Sequence, residues 1–151
     1  MKKQISRALL GLVAVLTLAG AASAQSSRGV EVYVPFDFVA GEKRMPAGDY
    51  TVRRVRVDSE TALVIQGAGK GAASAVVLTN RGDENPTRAA LTFRRHGDRY
   101  FLAEVSMPGA SSVREAPQTG AERRVERELA AQSKAGSADE SKTVTVVGRV
   151  R

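Results

Sequence analysis

The chain has 151 residues, one histidine, no cysteine and no tryptophan, with a formal net charge of +7. Without cysteine there are no disulfides, no thiolate metal sites and no lipid attachment through a cysteine after an export signal, so a hydrophobic core must hold the fold together. The basic surplus is concentrated early: removing residues 1–24, which carry Lys2, Lys3 and Arg7, leaves 127 residues and a charge of +4. That modest charge, with no tryptophan and no interleaving of aromatic and basic residues, argues against nucleic acid as a partner.

Residues 1–24 read as a signal peptide. A basic start is followed by the apolar run Leu9 to Ala19, too short to span a bilayer comfortably, and by the small-residue site Ala22-Ser23-Ala24. Export to the periplasm or the medium is expected. No later apolar run is long enough to cross a membrane, so no transmembrane segment is expected after cleavage.

A β-domain is expected over 25–109. From Val30 to Phe38 the residues Val30, Val32, Val34, Phe36 and Phe38 alternate with Glu31, Tyr33, Pro35 and Asp37, the period of a half-buried strand. A turn at Gly41 and a Pro46-Ala47-Gly48 corner lead into a second strand from Asp49 to Val57. Its apolar phase shifts beside Arg53-Arg54, which predicts a bulge. Thr61 to Gln66 and Ala73 to Thr79 are apolar on both faces, and the latter is expected to be central. Arg88 to Arg95 and Arg99 to Val105 form a hairpin. A three-residue loop His96-Gly97-Asp98 would set Phe93 opposite Phe101, whereas a two-residue Gly97-Asp98 loop would set Leu91 opposite Glu104; apolar matching favours the first.

Beyond the β-domain, 110–120 reads as a linker. Thr119-Gly120-Ala121-Glu122 fits a capping box opening a helix over 121–133, with a thin stripe of Ala121, Val125 and Leu129. Residues 134–151 read as a flexible tail with a terminal strand near Thr143 to Val150. So thin a stripe predicts weak attachment and a β-domain that survives deletion of 110–151. The fold class is mainly β: an antiparallel β-barrel or β-sandwich of about six to eight strands with one C-terminal α-helix.

The segments Val34-Pro35-Phe36-Asp37-Phe38, Pro46-Ala47-Gly48-Asp49-Tyr50-Thr51-Val52 and Gly97 through Val105 resemble a group of small exported β-rich proteins of soil bacteria, across most of residues 30–132. Met45 stands where that group usually has leucine. The group has no assigned activity, so the resemblance implies export and an all-β fold and adds no chemistry.

No catalytic, cofactor-binding or metal-binding residues are assigned. His96 has neither a Gly-x-Ser-x-Gly nor a His-Glu-x-x-His motif beside it and is expected to be solvated at a hairpin tip. Gly67-Ala68-Gly69-Lys70-Gly71-Ala72 follows a strand, as a dinucleotide-binding turn would, but leads into another strand and not a helix. Arg81-Gly82-Asp83 spells an adhesion tripeptide in a region whose Gly and Asp already favour a turn. The candidate anion-binding patch is Arg53, Arg54, Arg56, Arg94, Arg95 and Arg99, since guanidinium groups bind phosphates and carboxylates bidentately. The function expected is that of an exported, non-enzymatic binding or cell-envelope protein without a cofactor, its partner an anionic envelope polymer or another envelope protein. The alternative is a carrier holding a small apolar or amphipathic ligand among Phe36, Phe38, Leu63, Phe93 and Phe101.

Overall fold

The computed structural model describes residues 29–56, 59–133 and 142–150. The export signal, its cleavage site and the part of the expected tail over 134–141 lie outside the described residues. The protein is a two-sheet sandwich and not a closed barrel. One sheet, A, has the order β12-β1-β4-β5-β6, formed by Arg149–Val150, Val30–Val34, Gly48–Arg56, Ser59–Gly67 and Ser74–Leu78. The other, B, has the order β11-β8-β9-β10-β7, formed by Lys142–Val147, Ala90–His96, Arg99–Ser106, Arg114–Glu115 and Asn80–Arg81. The short hairpin β2 (Phe38–Ala40) and β3 (Lys43–Met45) joins sheet B through a parallel pairing of Phe38-Val39 with Tyr100-Phe101.

The alternation at the start of the chain sorts the side chains as its period requires: Val30, Val32 and Val34 are buried and Tyr33 is exposed. The strand does not continue to Phe38, however. Pro35 has no N–H to give a ladder, and the chain leaves sheet A there to enter sheet B as β2. Two further crossings close the sides of the sandwich. β6 passes through buried Thr79 into β7, and β11 passes through Gly148 into β12. At Gly148 an added Cβ would lie 2.6 Å from the Glu31 carbonyl oxygen and 2.9 Å from Val30, so the close crossing excludes any side chain.

The expected bulge in the second long strand is present between Arg54 and Arg56. The hairpin differs from expectation. His96 pairs with Arg99, so the loop is the two-residue Gly97-Asp98, and the register slips between Thr92 and Phe93. The bulge lets the tight turn coexist with apolar matching, setting Leu91 against Val105 and Phe93 against Leu102. It also turns Phe101 away from the core. β6 is likewise not central: it ends sheet A, with Ala75 and Val77 inward and Val76 and Leu78 in solvent.

Between the sheets, Val32, Tyr50, Val52, Leu63, Ile65 and Val77 of A meet Phe38, Met45, Leu91, Phe93, Leu102 and Val105 of B. Phe38 and Phe36 each set an edge against Phe93 at 5.2 Å between ring centroids, and Phe36 stacks on Tyr100 at 3.9 Å. The phenyl rings expected to frame a ligand cavity are therefore packed on one another, apart from Phe101.

The stretch 110–120, expected as a linker, contributes β10 and buries Ser112, Val113, Arg114 and Ala116. It leads to helix α1 (Gly120–Ser133). Thr119 caps the helix as anticipated, its Oγ1 accepting the Glu122 N–H at 3.1 Å. The terminal strand expected near Thr143 is β11, which pairs with β8 over six residues from Lys142↔Arg95 to Val147↔Ala90. β12 pairs with β1 in the opposite sheet. Among the described residues, no helix is long and apolar enough to cross a membrane.

Candidate functional site

Alternation along β8 places Phe93 in the core and Arg94 and His96 on the outer face of sheet B, where α1 lies. Glu122 is the hinge of that contact. Its carboxylate accepts Arg94 Nε at 2.5 Å and His96 Nε2 at 3.1 Å on one oxygen, and Arg94 Nη2 at 3.1 Å on the other. A carboxylate can only accept, so His96 Nε2 carries the proton in this contact. Arg94 also donates to the carbonyls of Ala116 at 3.2 Å and Leu102 at 3.4 Å. Glu122 is 1% exposed and His96 6%. His96 is thus not solvated at a hairpin tip: the two-residue turn draws it beneath the helix, where its ring meets Phe101 at 5.7 Å between centroids.

A histidine against a carboxylate is half of a catalytic relay, but this pair is shut away from solvent and its carboxylate is already taken by Arg94. The arrangement fixes a helix to a sheet. The capping-box reading sent Glu122 back toward the Thr119 backbone; instead Glu122 joins Val125 and half-buried Leu129 on the inward stripe, in place of exposed Ala121. The spacing of Glu122, Val125 and Leu129 carries that information, at three and four residues along one helical face.

The six candidate arginines do not form one patch. Arg53, Arg54 and Arg56 lie on β4 in sheet A, whereas Arg94, Arg95 and Arg99 belong to the β8–β9 hairpin in sheet B. Arg94 is held by Glu122. Arg95 donates to the Gly97 carbonyl at 2.7 Å, approaches Asp98 at 3.7 Å and lies 5.8 Å from the centroid of the Tyr100 ring. Arg99 and Arg44 stand at the rim of a cleft of about 320 Å³ floored by Val39, Tyr100, Phe101 and Val125, with Asp37 and Asp98 beside them. Its charges are balanced. Arg53 is exposed on the outer face of sheet A, and half-buried Arg54 projects to the other side opposite Leu63.

The Val34 to Phe38 and Pro46 to Val52 motifs have structural reasons. Asp37 Oδ1 accepts the Ala47 N–H at 3.0 Å and Oδ2 meets Arg44 at 3.4 Å, while the Tyr50 hydroxyl donates to the Pro46 carbonyl. Burial of the Tyr50 phenol, and then the Asp37 charge, push its pKa above the ordinary value. Gly82 of the Arg-Gly-Asp string is packed so closely on β10 that a Cβ would lie 2.6 Å from Val113 and 2.8 Å from Glu115. The glycine-rich string joins β5 to β6 as a loop.

The outer face of sheet A is different in kind. Tyr33, Val76 and Leu78 are 59, 63 and 69% exposed on it. Cross-strand register lines up Arg53, Val64 and Val76 in one row and Ala62 with Leu78 in the next. Toward β12 the same face sinks into a polar recess of about 440 Å³ around Tyr33, Asp49, Glu31, Thr51 and Arg149. No family model, curated protein or solved structure matches the chain.

Proposed function

We propose that the chain is an exported, non-enzymatic binding module of the cell envelope, and that the outer face of sheet A is its contact surface. The supporting observation is the exposure of Tyr33, Val76 and Leu78 on a sheet whose inner face packs against sheet B. Large apolar and aromatic side chains left exposed on one face, here Tyr33 at the β1 side and Val76 and Leu78 at the β6 side, are the usual mark of an interaction surface. Arg53, in the row of Val76, supplies positive charge for anionic groups of an envelope polymer. The packing of Phe36, Phe38 and Phe93 on one another favours this reading over a carrier with an internal ligand.

Sedimentation with purified envelopes of the producing cell tests it. The chain is expected in the pellet, and a Tyr33→Ser/Val76→Ser/Leu78→Ser variant with an unchanged thermal transition is expected in the supernatant. Equal sedimentation of the two, or a chain that never sediments, contradicts the assignment.

A further inference from the structure

The recess on the outer face of sheet A has a composition that points to a ligand class. Tyr33 on β1 faces Asp49 on β4, and two residues back Glu31 faces Thr51 on one side and Arg149 of β12 on the other. Residues i and i+2 of a strand share a face, and directly opposed residues are neighbours. A phenol ring and a carboxylate therefore adjoin a carboxylate, a hydroxyl and a guanidinium on one surface. The crossing at Gly148 forms part of the recess wall, and the exclusion of a side chain there lets the crossing pack directly on the β1 backbone at Glu31.

We infer that this recess binds a neutral saccharide, the glycan portion of an envelope polymer; the inference rests on the binding reading above. A pyranose ring has an apolar C–H face and a rim of hydroxyls, each of which donates and accepts. An exposed tyrosine supplies a flat apolar platform with a polar tip for such a face. Asp49 and Glu31 are acceptors for hydroxyl protons, Arg149 is a donor for hydroxyl oxygens, and Thr51 can act as either. Two carboxylates against one guanidinium disfavour a polyanion in this recess, because like charges brought together on binding repel. The polar lining is equally unsuited to a fatty or purely aromatic ligand, which displaces water from those groups and offers them no hydrogen bond in return. Arg53 lies outside the recess, so a charged substituent on a neutral chain could meet it without entering.

Affinity electrophoresis of the full exported chain tests the inference, in gels cast with a soluble neutral glucan, a galactomannan or a chitin oligomer, and with polygalacturonate as the anionic counterpart. Retardation by at least one neutral glycan is expected. Tyr33→Ala should weaken it by about ten-fold or more, as truncation of a central aromatic contact does, while Tyr33→Trp retains it. Asp49→Asn should weaken it less, and Arg53→Ala should leave it unchanged. No retardation by any neutral glycan, or retardation indifferent to Tyr33→Ala, overturns the saccharide assignment. If the same preparation still sediments with envelopes through Val76 and Leu78, the saccharide assignment falls alone; if it does not sediment, the binding reading falls with it.

Discussion

The two outer faces of the sandwich use polar and charged residues in opposite ways. On sheet B, Arg94, His96 and Glu122 are turned toward one another beneath α1, and their hydrogen-bonding capacity is spent inside the protein. On sheet A, Tyr33, Asp49, Arg53 and Arg149 stand in solvent along with Val76 and Leu78. A histidine and a carboxylate attract functional interpretation wherever they meet, yet burial and a satisfied network mark the sheet B cluster as a fastening. The exposed tyrosine on a strand carries more functional information than the buried histidine, because only the former can meet a partner.

This contrast can be broken most severely by removing the fastened side altogether. Truncation after Gly109 would delete β10, α1, β11 and β12, uncovering the outer face of β8 and the free edges of β8 and β1. The contacts reverse the expectation that the β-domain survives this deletion: the shortened chain should lose its cooperative thermal transition by circular dichroism. A sharp transition near that of the full chain would show that the C-terminal third is an appendage.

A smaller effect is expected from Glu122→Ala. It leaves the Arg94 guanidinium, 23% exposed, without its carboxylate and removes the acceptor of His96. Breaking a buried ion pair from one side costs about 3 kcal/mol or more, which denaturant titration would record as a lower midpoint. Envelope sedimentation at a temperature where the variant is folded should be unchanged, since no sheet A side chain is altered. Loss of binding without loss of stability would place function under the helix instead.

The smallest effect concerns Glu104, half-buried on the outer face of sheet B. Burial, followed by the charges of Glu84 and Glu115, raises its carboxyl pKa above the ordinary value. A carboxyl raised in the fold contributes stability that is fully present below the unfolded pKa and is lost as pH rises through the folded one. Glu104→Gln should therefore raise Tm slightly at neutral pH. The gain should vanish near about pH 3, below the ordinary carboxylate range. A gain that persists in acid would mean that packing, not charge, is responsible.

Much of the sandwich was legible in the sequence because strand period and turn chemistry are local. The alternation from Val30 to Val34, the bulge beside Arg54 and the Thr119 cap all follow from side-chain types at fixed offsets. What escaped was which sheet each strand joins. Pro35 read as one more outward position in the Val30 to Phe38 alternation; that it marks a crossing between sheets depends on the pairing of Phe38 with Tyr100, more than sixty residues away. The apolar phase of the hairpin suggested a longer loop because a bulge on the partner strand leaves no unambiguous local mark. The two-sided apolar pattern of β6 indicated burial, whereas one of its sides is exposed. Of the candidate arginines, only their type was legible. Their separation into two sheets is a matter of topology, as is the seating of Glu122 on Arg94 rather than on its own helix terminus.

The most direct test of the division between the faces is hydrogen exchange of the full chain, followed by mass spectrometry, with and without purified envelopes. The predicted result is added protection in peptides from β1, β4 and β6, with α1 and the β8–β9 hairpin unchanged. Protection confined to α1 and the hairpin tip, with sheet A unaffected, would contradict the account.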